Sequence, residues 1–177
     1  MTVQILIAGF GGQGILFLGK LLAYKALIEG RELSWLPSYG PEMRGGTASC
    51  SVTISTEPVG SPIITNPDIL IAMNLPSLDR YEGSVKPGGM IFTDSSLIER
   101  PVARTDVKAF AVPATRMAVE MGAPNLANMI ILGNLMKQCP DLVPYENVGE
   151  ALAKVVSAKH PEMAEVNLRA IKTGFGL

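Results

Sequence analysis

Near the amino terminus, Gly9, Gly11 and Gly14 fall on the spacing Gly-x-Gly-x-x-Gly, with Gly12 as an extra glycine and Gln13 inside the motif. Residues of this type at this spacing bring backbone N–H groups to a negatively charged oxygen with no side chains in the way. Gly9 would let the chain leave a strand in a tight turn, Gly11 would let a ligand approach the backbone, and Gly14 would let a helix pack closely on the first strand. The same glycines would also serve a strand-to-helix turn that holds no ligand. A second stretch, Ser38-Tyr39-Gly40-Pro41-Glu42-Met43-Arg44-Gly45-Gly46-Thr47, sets a phenol, a carboxylate and a guanidinium between two turn-forming pairs. There Arg44 could grip a carboxylate or phosphate in a forked geometry, or pair with Glu42 and merely order the loop.

Other chemistries are poorly supplied. Cys50 and Cys139 each stand alone in sequence, so the four thiolates of an ordinary iron–sulfur cluster are missing, and no Cys-x-x-Cys occurs. The single histidine, His160, precedes Pro161 and reads as a surface or capping residue. A Ser/His/Asp or Cys/His arrangement would have to use that one imidazole. This chain alone is poorly equipped for catalysis.

The elements that must position these residues follow from periodicity. Val3 to Ala8 is an apolar run suited to a strand buried on both faces. After the glycines, Ile15, Leu18, Leu22 and Ala26 recur at helical spacing, and Gly30 ends the helix near Glu29. A second strand, Glu32 to Leu36, leads into the Tyr39–Thr47 loop. An NAD site wants an acid at the tip of that strand, roughly 20 residues past the turn. Trp35-Leu36-Pro37-Ser38 offers none, and Glu32 sits at the wrong end. If this strand is parallel to the first, the loop faces the glycine turn.

Ala48 to Ser55 alternates: Ala48, Cys50, Val52 and Ile54 on one face, Ser49, Ser51, Thr53 and Ser55 on the other. Asp68 to Met73, Met90 to Thr93 and Val107 to Val112 read as further strands. Helices are expected over Pro76 to Val85, Ala114 to Met121 and Asn125 to Gln138, with two amphipathic helices in the tail. Strands alternating with helices predict an α/β fold: one three-layer, Rossmann-like domain over residues 1–177 with a mostly parallel or mixed sheet.

Composition narrows the partners. Apolar residues make up 47% of the 177 and charged ones only 18%, below the usual share of about 25%. A domain so poor in charge is expected to hide surface against other chains. Net charge is −1 with no basic cluster, which argues against nucleic acid. No apolar run approaches the roughly 20 residues of a membrane span, so no membrane role and a cytoplasmic location are expected.

Three segments together resemble one family. Ile7-Ala8-Gly9-Phe10-Gly11-Gly12-Gln13-Gly14, the Ser38–Thr47 loop and Asn128-Met129-Ile130-Ile131-Leu132-Gly133 are similar, in that order, to segments of the gamma subunits of 2-oxoacid:ferredoxin oxidoreductases. The likeness covers essentially the whole chain. It implies a share in oxidative decarboxylation of a 2-oxoacid, 2-oxoglutarate or a branched-chain one, to an acyl-coenzyme A with reduction of ferredoxin. It also implies that thiamine diphosphate and the iron–sulfur clusters sit in alpha, beta and ferredoxin-like delta subunits, with ferredoxin as electron acceptor. Gly9, Gly11, Gly12, Gln13 and Gly14 would then form an anion-binding turn. Tyr39, Glu42, Arg44, Gly45, Gly46 and Thr47 would face either coenzyme A or the active centre of a partner subunit. No residue is assigned as catalytic acid or base, and no metal ligand is expected. Two other readings stay open: a freestanding nucleotide-binding oxidoreductase, and a non-catalytic assembly subunit whose glycines serve packing alone.

Overall fold

The computed structural model describes residues 1–38 and 47–177. Six strands, β1 (Thr2–Phe10), β2 (Glu32–Ser38), β3 (Thr47–Ser55), β4 (Ile69–Ala72), β5 (Met90–Asp94) and β6 (Lys108–Val112), form one sheet in the order β2-β3-β1-β4-β5-β6. β1, β4, β5 and β6 are mutually parallel, whereas β3 is antiparallel to both of its neighbours. It follows that β2 runs in the direction of β1, with β3 returning between them. The sheet is mixed through this one strand.

The helices are α1 (Ile15–Ile28), α2 (Leu75–Tyr81), α3 (Ala114–Glu120), α4 (Ala127–Gln138), α5 (Val148–Val155) and α6 (Glu162–Phe175). The layers they form are unequal. On one face, Ile5, Ile7, Cys50, Val52, Ile54, Ile71 and Phe92 share a large core with α1, α3, α4, α5 and α6. On the other, Leu6, Leu70, Ala72 and Ile91 meet Leu78 of α2 and the smaller cluster around Val85 and Ile98. β4 is apolar at every position because both its faces are covered, while β3 alternates only as far as Val52 and is buried on both faces from there to Ser55, with Thr53 and Ser55 enclosed.

Local chemistry sets the boundaries. α1 stops at Gly30, whose φ of 69° lets its N–H reach the Leu27 carbonyl while Arg31 N–H bonds that of Ala26. Within its last turn the buried ammonium of Lys25 pairs with Glu29. α2 begins at Asn74, whose Oδ1 accepts the Ser77 N–H at 2.9 Å, with Pro76 in the first turn. Several boundaries differ from expectation, β2 running on through Pro37 to Ser38 among them. β1 continues through Gly9 to Phe10; the α2 helix ends at Tyr81 and gives way to a 3₁₀ turn, Glu82–Ser84; and a 3₁₀ turn at Pro124–Leu126 precedes α4. A proline supplies the reason for the last, since it suits the tight first turn but donates no hydrogen bond.

Buried from Ala127 to Met136, α4 is the centre of the large core. It crosses α6 where Gly133 and Gly174 face each other's backbone. A Cβ on Gly133 would strike the Ile171 carbonyl oxygen, and one on Gly174 the Ile130 carbonyl oxygen. Neither clash can be relieved by a side-chain rotation. Across the core, Trp35 Nε1–H donates to Cys50 Sγ at 3.0 Å, and burial pushes that thiol up to about 11, outweighing the lowering effect of the indole hydrogen bond.

Gly133→Ala and Gly174→Ala should each destabilise the protein by about 1–3 kcal/mol. Gly149→Ala, in α5 with open space around it, should stabilise by about 0.4–1 kcal/mol; chemical denaturation of the three variants reads all three signs. At pH 8 the Cys50 thiol is protonated and shielded, so iodoacetamide should modify it only at the rate of global unfolding. Mass-spectrometric labelling faster than unfolding would contradict this packing.

Candidate functional site

The glycine motif lies at the carboxyl end of β1, in the middle of the sheet. Gly9 is not the turn itself. It still pairs with Ala48 of β3, and a Cβ there would come within 2.6 Å of Gln13 Oε1, 2.8 Å of Ile15 Cδ1 and 2.9 Å of Met73 Cβ. Close packing, the part expected of Gly14, therefore falls to Gly9. The reversal is made by Gly12 and Gly14, with φ of 94° and 72°. Gln13 braces it: Phe10 N–H donates to Gln13 Oε1 at 2.6 Å, and Gln13 Nε2 donates to the Met73 carbonyl at 3.0 Å. The Gln13 side chain thus ties the turn to the end of β4, and an anion there would meet backbone rather than Gln13.

Gly14 is the N-cap of α1 and carries no side chain to satisfy the first amides. No acidic residue stands in the first turn. The positive end of a four-turn helix is therefore open toward the turn, the arrangement that favours an anion. Gly14 is itself held from behind. Asn128, buried at the start of α4, donates from Nδ2 to the Gly14 carbonyl at 3.1 Å, and a Cβ on Gly14 would collide with that amide. The sequence gives Asn128 no role. Its signal is an amide at the head of an otherwise apolar run, whose Oδ1 also accepts the Met129 N–H at 2.9 Å.

Two clefts meet at Gly14. One, of about 300 Å³, is lined by Phe10, Gly11, Gly12, Leu16 and Ala48. The other, of about 310 Å³ and mostly apolar, lies between the amino ends of α4 and α6 and is lined by Phe17, Asn125, Val156, His160 and Asn167. Asn167 Nδ2 donates to the Met163 carbonyl at 2.7 Å, while its buried Oδ1 has no partner among the described residues. His160 is otherwise exposed, with Nδ1 at 3.2 Å from Glu162, which suits a surface position. A separate cavity of about 390 Å³, near Asp68, Lys86 and Cys139, sits at the amino ends of the strands, away from the turn.

Tyr39, Glu42, Arg44, Gly45 and Gly46 lie outside the described residues. The strand ends that carry their segment are placed. Thr47 is directly opposite Phe10, and Ser38 is opposite Ser49, so both ends emerge at the edge of the sheet that holds the glycine turn. Exposed apolar side chains mark the same edge: Phe10 (40% exposed) at the end of β1, Leu75 (38%) after β4 and Leu97 (45%) after β5. The two buried carboxylates among the described residues, Asp94 at this edge and Glu82 at the far end of the sheet, are already occupied. Asp94 accepts from Thr115 Oγ1–H at 2.5 Å and from two backbone amides, and Glu82 takes Arg100 at 2.8 Å and the Ala103 N–H. Among the described residues, no group of three or more His, Cys, Asp or Glu side chains stands together to hold a metal. The site is built to receive an anion; among the described residues the one imidazole that lines it is His160, 3.2 Å from Glu162.

Comparison with known proteins gives this geometry a context. The profile of the pyruvate ferredoxin/flavodoxin oxidoreductase family matches residues 4–177. Ketoisovalerate oxidoreductase subunit VorA of Methanothermobacter marburgensis is 41% identical over 97% of this chain, but the match spans only 36% of VorA. This chain thus has about a third of the length of that relative. 2-Oxoglutarate synthase subunit KorC of Methanocaldococcus jannaschii is 35% identical, with 99% of this chain matching 93% of KorC. The crystal structure of a keto/oxoacid ferredoxin oxidoreductase gamma subunit from Geobacter sulfurreducens superposes with a TM-score of 0.82 at 27% identity, over 98% of this chain and 96% of that one. A 2-oxoglutarate:ferredoxin oxidoreductase from Magnetococcus marinus, solved with 2-oxoglutarate, coenzyme A and succinyl-CoA bound, gives 0.88 at 26% identity, over 99% of this chain and 30% of that one. The chain belongs to the pyruvate ferredoxin/flavodoxin oxidoreductase family and has the α/β architecture of its gamma subunits.

Proposed function

We propose that this chain is the gamma subunit of a cytoplasmic 2-oxoacid:ferredoxin oxidoreductase and that its glycine turn holds the anionic part of coenzyme A. In the overall reaction the 2-oxoacid loses its carboxylate as carbon dioxide and two electrons pass to ferredoxin. The acyl group goes to the coenzyme A thiol, which loses its proton. The relatives named for 2-oxoglutarate and ketoisovalerate favour one of those two substrates. Thiamine diphosphate and iron–sulfur clusters belong to alpha, beta and delta partners, since two isolated cysteines cannot hold a cluster. No described helix is long and apolar enough to cross a membrane.

The observation that carries the proposal is Gly14: a helix start with no capping side chain, locked by Asn128, and shared by two clefts. Gly12, Gly14 and the first amides of α1 would receive a phosphate, with nothing acidic in the first turn to repel it. The apolar cleft beside Phe17 would take an uncharged portion of the ligand, with Asn167 Oδ1 free to accept from an amide. Coenzyme A has both kinds of group, and its thiol is the acyl acceptor. Arg44, carried by the segment between Ser38 and Thr47, would add a forked cation for the same anion. Completing a partner's active centre is the second role open to that segment, favoured by the exposed Phe10, Leu75 and Leu97 on the edge where Ser38 and Thr47 stand.

Gly12→Ala tests the turn, because its φ of 94° disfavours alanine although the space around it is open. In the assembled complex the KM for coenzyme A should rise about tenfold, equivalent to about 1.4 kcal/mol of lost binding, with the KM for the 2-oxoacid little changed. An unchanged KM for coenzyme A would remove the turn from its site. Arg44→Ala should lower 2-oxoacid-dependent ferredoxin reduction with the complex intact by size-exclusion chromatography; full turnover would remove Arg44 from the reaction. Tight NADH binding by the chain alone would favour a freestanding nucleotide-binding enzyme instead.

A further inference from the structure

The Gly14 carbonyl oxygen accepts two hydrogen bonds. One comes from the Leu18 N–H at 2.9 Å, within the first turn of α1, and the other from Asn128 Nδ2 at 3.1 Å. The direction of the Asn128 amide is set at its other end. Its Oδ1 already accepts the Met129 N–H, and a carboxamide oxygen accepts while its nitrogen donates, so Nδ2 is the atom left to face Gly14. Asn128 is 3% exposed and rides on α4, which is buried from Ala127 to Met136. The donor therefore has a rigid base and a fixed aim.

What it aims is a backbone donor on the far side of the same peptide group. The Gly14 carbonyl and the Ile15 N–H are two ends of one planar unit, and no peptide bond among the described residues is cis. In a trans peptide the two ends point in opposite directions. Holding the carbonyl toward α4 and Leu18 therefore turns the Ile15 N–H out of the helix start, among the amides that have no carbonyl of their own helix to bond. A carbonyl that accepts two donors also polarises its peptide group, which makes the N–H at the other end a stronger donor. Glycine in the left-handed region, here with φ of 72°, is the residue least able to hold such a plane by itself. α1 has no capping side chain that could set it instead.

We infer that Asn128 is a positioning residue for the anion site: by holding the Gly14 carbonyl from behind, it sets the direction and the strength of the Ile15 N–H, and with them the affinity for a phosphate at the turn. This rests on the coenzyme A reading above. Asn128 acts through Gly14 and does not touch the phosphate.

The test measures steady-state kinetics and melting temperature of the assembled complex for three variants beside wild type. Asn128→Asp keeps the size of the side chain and loses the donor; Asn128→Ala loses both. Asn134→Ala is the matched control, a second buried asparagine further along α4 whose Oδ1 has no partner among the described residues. The KM for coenzyme A should rise about three- to tenfold in Asn128→Ala, the effect of one lost hydrogen bond. It should rise further in Asn128→Asp, where a carboxylate would stand near the bound anion. The KM for the 2-oxoacid should stay at the wild-type value in both. Asn134→Ala should leave the KM for coenzyme A unchanged, whatever it costs in melting temperature. If Asn128→Asp retains the wild-type KM for coenzyme A, or if Asn134→Ala raises it as much as Asn128→Ala does, Asn128 merely joins two helices and the positioning role is wrong. Loss of assembly in both Asn128 variants, with Asn134→Ala assembled, would overturn it equally. Gly12→Ala separates this inference from the reading beneath it. A raised KM for coenzyme A in Gly12→Ala with none in Asn128→Asp would remove the positioning role alone; no change in either would remove the coenzyme A site as well.

Discussion

The hydrogen bond from Asn128 to the Gly14 carbonyl is the contact on which the rest of the structure turns. It joins the first helix to the central one, across 114 residues of sequence, at the point where the chain must adopt a left-handed conformation. Gln13 holds the other side of the same turn against β4, and the absence of a Cβ at Gly9 lets Ile15 and Met73 close beneath it. Three groups from three elements thus fix one short backbone segment, which is what a site made of amides requires. Backbone donors cannot re-aim as side chains do, so their positions must be set in advance.

That arrangement explains the division of labour in the protein. Buried acids are committed to structure: Asp94 caps the start of α3, and Glu82 gathers Arg100 and the chain near Ala103. Cys50 is neutralised by burial, and His160 stands at the surface. Among the described residues, the carboxyl edge of the sheet holds a positive helix terminus, two modest clefts and a fringe of exposed apolar residues. Such a surface is suited to binding and positioning. It suits a subunit whose reaction centre is completed by other chains.

Much of this was legible in the residues. The glycine elbow, the alternation of β3 and the apolar β4 follow from local pattern, because each depends on neighbours a few positions away. Strand order was less accessible. Alternation states that β3 has one wet face, but not that it inserts antiparallel between β2 and β1, a choice made by pairing across the sheet. The roles of Gly9 and Asn128 were hidden for the same reason. Gly9 is explained by Met73 together with the nearby Gln13 and Ile15, and Gly14 by Asn128; the contacts to Met73 and Asn128 are long-range. The 3₁₀ turn before α4 was signalled by Pro124, but the same proline would equally start an α-helix. For the loop, the sequence gives residue types, and the paired ends at Ser38 and Thr47 give the edge from which it leaves.

The central claim is that the β1–α1 turn, closed over by a neighbouring chain, receives the phosphate of coenzyme A. Cryo-electron microscopy of the assembled complex with coenzyme A bound tests it most directly. A phosphate oxygen is expected at hydrogen-bonding distance, about 2.7–3.2 Å, from backbone N–H groups between Gly12 and Phe17, with another subunit sealing the crevice. A complex in which that turn faces bulk water, with the coenzyme lodged wholly among other chains, would contradict the account.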